Sequence, residues 1–336
     1  MLQNAKEDFE FLKNIFQNPQ KIVIFSHYNP DGDALGSSLA LYHLLKQLGH
    51  QVQVIYPSAY PPYFNWMPSI EKTLFLDANK KNEIEKSIKD AAVILNVDFN
   101  AKKRIQDLEP FFDASKGIKI AIDHHESPTY EDFDTVFCNS KSSSACEVVY
   151  EIIEKLNLLD LINYEVATCL FTGLITDTGG FQYASTAPYT HQMAAFLIEK
   201  GASSQDIFDL SFNNFSLNRL KLFGYCTSNC LKISDDQRIA YQWIDHNTKN
   251  KFQIKEGDTE SLVNQPMKIS TVKVSVLFKE DKDKIRISFR SKGDIDVNTF
   301  ARTYFEGGGH KNAAGGSSKK TLTDTLSYFE SLIAQL

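Results

Sequence analysis

The sequence predicts an α/β protein: a doubly wound, mainly parallel sheet followed by a second, smaller α/β domain on a mixed sheet. Three observations carry this expectation. Short β-rich runs alternate with longer helical patterns through the first half, which is the rhythm of parallel βαβ units. Those runs are nearly continuously apolar, as in AVILNV at 92–97, and so suit strands covered on both faces. The length, 336 residues, fits two domains at roughly 100–200 residues each.

The N-terminal MLQNAKEDFEFLKNIF mixes charges with apolar residues at helical spacing. Strands are expected at KIVIFSH (21–27), QVQVIYP (51–57), AAVILNVD (91–98), GIKIAIDHH (117–125) and TVFCNS (135–140). Between the first two, a helix over 34–48 places Leu35, Leu39, Leu41, Leu44, Leu45 and Leu48 at helical spacing, with Gly49 as its stop. Further helices are expected near 143–158 and 163–176, and another starts near 188, capped by Thr186 with Pro188 in its first turn. Residues 188–225 are helical and moderately polar without a βαβ rhythm, and read as a connector. Beyond them LKIS, RIAYQWID, VSVLFKE and KIRISFRS read as strands, followed by a helix near 296–305, a glycine-rich turn GGGHKNAAGG and a terminal helix from about 322.

Composition narrows the function. Hydrophobic residues make up 42% and charged ones 23%, which fits a globular chain and neither a disordered nor a fibrous one. A net charge of −6 argues against a long duplex track, which relies on many Lys and Arg residues, and leaves a small anionic substrate open. Five cysteines form an odd set in a chain large enough to need no disulfide framework, so the expected location is cytoplasmic. Cys226 and Cys230 lack a second pair at zinc-finger spacing and read as buried thiols. No run approaches the ~18 apolar residues of a membrane span, so no membrane partner is expected.

The polar residues collect at the ends of independent segments. The first strand runs into HYNPDGDALGS with His27, Asp31 and Asp33; the third ends at Asp98; the fourth ends in Asp123, His124 and His125; and a helix closes on GLITDTGGF with Asp177. In open parallel sheets, ligands bind at the carboxyl ends of the strands, so these groups share one rim. Clustered carboxylates repel unless cations neutralise them. Carboxylate and imidazole donors without thiolate suit Mn2+ or Mg2+, and four aspartates balance two divalent ions. An EF-hand is excluded, because the twelfth position from Asp31 is Tyr42 and not Glu. There is neither a Walker A sequence nor a Rossmann glycine fingerprint after the first strand.

These residues resemble the DHH phosphoesterase superfamily, and within it the short bifunctional members that degrade very short RNA and dephosphorylate 3′-phosphoadenosine 5′-phosphate (pAp). The resemblance rests on His27-x-x-Pro30-Asp31-Gly32-Asp33 with Gly36 and Ser37, then Asp98, Asp123-His124-His125, Thr176-Asp177-Thr178-Gly179 and Gly307-Gly308-Gly309-His310. It implies two metal ions, Mn2+ before Mg2+: His27 and Asp31 on one, Asp33, His124 and Asp177 on the other, and Asp98 bridging. His125 would contact the scissile phosphate and Asp123 would orient the metal-ligating imidazole. A water activated between the ions would attack phosphorus.

The expected domains are a catalytic metal-binding domain at 1–187, the connector at 188–225 and a DHH-associated substrate-binding domain at 226–336. In the last, Arg290 is expected just after a strand, where it can take a phosphate bidentately beside Ser291 and Lys292, with Arg286 ranked below it. Gly308, Gly309 and His310 would let backbone amides approach an anion. The expected substrates are di- to pentaribonucleotides and pAp; a homodimer stays open. Rival readings are a phosphodiesterase for linear di-AMP, a single-strand exonuclease and a catalytically silent nucleotide sensor. One departure from the family pattern is Ala145, where a hydroxyl residue is usual at the start of a helix. No role is carried over to ESPTY at 126–130.

Overall fold

The computed structural model describes residues 2, 4–125, 131–255 and 257–336; the segment 126–130 lies outside them. The chain divides into two compact units, Met1–Asn214 and Phe215–Leu336.

The first unit opens with α1 (Lys6–Gln17), β1 (Lys21–Phe25), α2 (Gly32–Gln47), β2 (Gln51–Tyr56) and a short β3 (Leu74–Phe75). Then follow α3 (Lys81–Asp90), β4 (Val93–Val97), α4 (Glu109–Ala114), β5 (Ile118–Asp123) and β6 (Thr135–Cys138). It closes with α5 (Ala145–Lys155), α6 (Tyr164–Asp177), α7 (Pro188–Glu199) and α8 (Ser204–Phe212). Among the described residues the six strands form one parallel sheet in the order β3-β2-β1-β4-β5-β6. Alternate side chains serve two cores: Ile22, Ile24, Val93 and Leu95 pack with α2, α5 and α6, while Val23, Phe25 and Ile94 pack with α3 and α4. That two-sided covering is why the strands read as continuous apolar runs. The strand order reverses between β1 and β4, where open α/β sheets form their binding crevice.

The innermost helix pair is α2 against α6, and glycines set its spacing. A Cβ on Gly36 would lie 2.5 Å from the Cys169 carbonyl oxygen, and one on Gly173 would lie 3.1 Å from the Asp33 Cα. The helices therefore meet backbone to backbone, directly beneath the ends that carry Asp33 and Asp177.

The second unit contains α9 (Leu217–Asn229), β7 (Leu231–Ile233), β8 (Ile239–Ile244), α10 (His246–Lys251), β9 (Val274–Glu280) and β10 (Ile285–Ser291). It continues with α11 (Val297–Tyr304), β11 (Gly308–His310), β12 (Ala313–Ser318) and α12 (Leu322–Leu332). The sheet is mixed, in the order β11-β12-β10-β9-β8-β7, with β8 and β9 parallel and the other pairs antiparallel. Val274, Val276, Ile287 and Phe289 bury one face against Phe300 and Phe329, from α11 and α12; Leu277 packs on the other face with Leu222 and Phe223 of α9.

Several expectations change. Helix α2 starts at Gly32, two residues early, because the Asp31 carboxylate caps it by accepting the amides of Asp33 and Ala34 at 3.0 and 3.1 Å. Helix α7 is not capped by Thr186: Ala187 is its cap residue, and the Thr190 hydroxyl accepts the Ala187 amide at 3.1 Å. The glycine-rich stretch is not a plain turn but the hairpin β11–β12, in which Gly308, Gly309 and His310 pair with Gly315, Ala314 and Ala313. Helices α7 and α8 belong to the first unit and α9 to the second, so the segment 188–225 is shared between the units. All five cysteines are free, with Cys226 and Cys230 buried. No helix among the described residues is long and apolar enough to cross a membrane.

Candidate metal centre

The centre is built from four segments of the first unit. The loop leaving β1 carries His27; the α2 cap is Asp31 and its first turn holds Asp33; Asp98 follows β4; His124 and His125 follow β5; and Asp177 is the last residue of α6. His27 and Asp98 stand at the two strands that flank the reversal of strand order.

Asp98 lies in the middle. Its φ of +62° is in the left-handed region, which non-glycine residues rarely adopt and Asp tolerates better than most. Its amide still donates to the Ile122 carbonyl at 3.0 Å, so the turn is anchored to β5. Its Oδ2 lies 3.3 Å from Nε2 of His27, and its Oδ1 lies 3.5 Å from Nε2 of His124. Nε2 of His124 is also 3.5 Å from Asp177 and 3.7 Å from Asp33, while Nε2 of His27 is 3.9 Å from Asp31. Among the described residues, potential donor atoms thus gather in three groups, each within 4.8 Å: His27, Asp31 and Asp98; Asp33, His124 and Asp177; and Asp98, His124 and His125.

Backbone groups aim these side chains. The start of α5 turns two amides onto Asp33: Ala145 N–H donates to Oδ2 at 2.6 Å and Cys146 N–H to Oδ1 at 2.9 Å. The absent hydroxyl at Ala145 is therefore no loss to the helix end, since Ser144 is the cap and accepts the Glu147 amide. Nδ1 of His27 faces the Tyr28 carbonyl at 2.9 Å, and Nδ1 of His124 faces that of Ser142 at 3.4 Å. Such contacts leave each Nε2 toward the carboxylates. The buried Asp123 carboxylate holds Nδ1 of His125 at 2.7 Å. Sequence reading missed the Ala145 and Cys146 amides and the Ser142 carbonyl; the Ser144-x-x-Glu147 spacing was the available signal for the first two.

The electrostatics fit a cation. Asp33 and Asp98 are buried, and among the described residues their ion-pair partners, like those of Asp31 and Asp177, are histidines rather than Lys or Arg. Burial pushes Asp33 up to about 7, with the Asp98 charge adding to it. Burial and the neighbouring carboxylates Asp33, Asp31 and Asp98 likewise hold Asp177 well above the usual range, although its side chain keeps 34% of its surface open. For Asp98, burial acts in the same sense but is outweighed by hydrogen bonds from His124 and His27, and its pKa is lowered. For His27 and His124, burial opposes protonation, but Asp98 and the other carboxylates outweigh it and both pKa values rise. Carboxylates held this close without fixed positive partners are the donor set of a hard divalent cation.

The second-unit residues stand apart from this cluster in sequence and share a row of their own. Arg290 lies inside β10 and not after it; it pairs with Ala313 of β12, which pairs with His310 of β11. Ser291 is one residue along the same strand and so points to the opposite face; its hydroxyl donates to the Ile295 carbonyl at 2.6 Å and accepts from Asn312. Lys292 donates to the Met267 carbonyl at 2.5 Å. Arg290, Gly308, Gly309 and His310 thus group around one end of the hairpin, whereas Ser291 and Lys292 secure loops. Arg286, on the Arg290 face, is ion-paired to Asp281 at 2.7 Å.

Residues 21–174 match the DHH family, N-terminal domain, and residues 236–335 match the DHHA1 domain. The chain is 30% identical over 323 residues to the bifunctional oligoribonuclease and PAP phosphatase NrnA of Mycoplasma genitalium, covering 94% of each chain. An exopolyphosphatase-related protein from Bacteroides fragilis superposes with a TM-score of 0.94 at 37% identity, over 98% of this chain and 96% of that one. RecJ of Thermus thermophilus, solved in complex with Mn2+, shares the fold with a TM-score of 0.56 at 14% identity, over 100% of this chain and 55% of that one. With both domain matches in chain order and near full-length relatives at this identity, the chain belongs to the DHH family of phosphoesterases.

Proposed function

We propose that this phosphoesterase uses Mn2+, or Mg2+ in its place, to hydrolyse di- to pentaribonucleotides to mononucleotides and to remove the 3′-phosphate of pAp, leaving AMP. The observation that carries the proposal is Asp98, whose two carboxylate oxygens face His27 on one side and His124 on the other. The relative named for both activities supports the substrate class.

His27 and Asp31 would hold one ion, Asp33, His124 and Asp177 the other, with Asp98 shared. When bound, two such ions supply charge neutralisation at a phosphate and acidify water. The protein's own part is to preset the donors. The α5 amides fix Asp33, the α2 cap fixes Asp31, and carbonyls fix the tautomers of His27 and His124. His125, its Nδ1 held by Asp123, offers Nε2 to a phosphate oxygen. Arg290 and the β11–β12 hairpin with His310 would hold a terminal phosphate of a short substrate, so affinity comes from an end group and not from a long track. Ser291 supports that hairpin through Asn312, and Lys292 ties the end of β10 to the Met267 carbonyl.

A Mn2+ assay with RNA of graded length, pAp, linear di-AMP and pyrophosphate tests this reading. RNA dimers to pentamers and pAp should be turned over fastest. Equal or faster cleavage of an RNA of two dozen nucleotides would remove the short-substrate claim, preference for linear di-AMP would replace it, and binding of pAp without phosphate release would mark a sensor.

A further inference from the structure

The turn after Asp98 carries a cation that the centre described so far leaves without a task. The backbone carbonyl of Arg104 accepts the Tyr28 amide at 2.8 Å, fastening this turn to the loop that holds His27 and Asp31. Residue 104 is thereby fixed at the edge of the donor cluster. Within the same helical turn, Lys102–Leu108, Lys102 is tied to Asp113 at 2.9 Å and Asp132 at 3.0 Å. Arg104 has no such tie. Its side chain is exposed, and among the described residues its guanidinium forms no ion pair. A cation beside several carboxylates would ordinarily fold onto the nearest open one, and the Asp31 side chain, 62% exposed, is available. Asp31 is engaged instead by the α2 amides and faces His27.

With divalent ions in the cluster, a guanidinium at its rim gains nothing from the carboxylates and is open to an anion. We propose that Arg104 is a phosphate-binding residue of the first unit, its planar fork taking non-bridging oxygens of a nucleotide phosphate delivered to the His27 side of the centre. This rests on the phosphoesterase reading above and adds to it the group that grips the phosphate from within the metal-binding unit. It differs from the part given to His125, which approaches from the end of β5.

The test compares wild type with Arg104→Gln and Arg104→Lys. Titration calorimetry with pAp and with inorganic phosphate gives Kd, steady-state assays give KM and kcat, and Mn2+ content and Tm serve as controls. Arg104→Gln should weaken pAp and raise KM about tenfold or more, with Mn2+ content and Tm unchanged. Arg104→Lys should recover part of the loss, because it keeps the charge but not the fork. A Kd within about twofold of wild type overturns the proposal. So does a loss accompanied by lower Mn2+ content or Tm, and so does a wild type that binds neither pAp nor phosphate. Should wild type bind pAp but hydrolyse nothing, the hydrolase reading fails while the binding arm still decides Arg104.

Discussion

Asp98, at φ +62°, is held by one backbone bond to Ile122 and presents an oxygen to each of two histidines. Strain at such a position persists only where the surroundings fix it. The acid–base balance of its neighbours yields a prediction for the metal-free protein. His27, His124, Asp33 and Asp177 all have raised pKa values, so the folded state keeps protons that the unfolded chain releases at lower pH. Stability from those protons is complete below the unfolded values, 3.8 for Asp and 6.5 for His, and is lost as pH rises through the folded ones, about 7 for Asp33. Asp98 acts oppositely, but its contribution is already complete above 3.8. The Tm of stripped protein should therefore fall between about pH 5 and about pH 8, while protein with excess Mn2+ resists the fall. A metal-free Tm that is flat or rises over that range would contradict this. The placement of His27, Asp31, Asp33, Asp98, His124 and Asp177 at element ends is legible in the sequence. The pairing of Asp123 with His125 is not, because adjacent residues past a strand end no longer follow the alternation that assigns faces.

At the scale of elements, the helix starts do as much as the side chains. The first two amides of α5 hold Asp33, and the α2–α6 contact brings Asp33 and Asp177 together. Gly36→Ala forces a Cβ to 2.5 Å from the Cys169 carbonyl oxygen, a backbone atom that cannot swing away. The variant should lose about 2 kcal/mol in denaturant unfolding and bind Mn2+ more weakly; unchanged stability would mean that the helices separate freely. Strands β1, β4 and β5 are readable from their apolar runs. The hairpin β11–β12 is not, since six of its nine strand residues are glycine or alanine and carry no side-chain alternation to read. Two-residue β3 is too short to leave any periodic signal. The early start of α2 follows from Asp31 acting as a cap in a loop where Asp and Gly equally suit a plain turn.

For the whole molecule, strand order 3-2-1-4-5-6 explains why distant segments meet: the reversal between β1 and β4 opens the crevice into which His27 and Asp98 project their carboxyl-end loops. The second unit supplies a different chemistry, a guanidinium on β10 and an imidazole on β11, in register across β12. Arg290→Ala should raise KM for substrates with a terminal phosphate about tenfold and leave kcat and Mn2+ content nearly unchanged; an unchanged KM would remove Arg290 from substrate binding. Two units were legible from length and pattern, but the fate of the segment 188–225 was not, because amphipathic helices of similar polarity pack equally well on either core.

The most direct measurement is the Mn2+ content per chain, taken alongside turnover of an RNA dinucleotide, for wild type and Asp98→Asn. Two ions per wild-type chain are predicted, with Asp98→Asn losing at least one and falling roughly a thousandfold in rate. Full turnover by wild type holding a single ion, or an Asp98→Asn variant that keeps both ions and more than about a tenth of the rate, would contradict a shared two-metal centre.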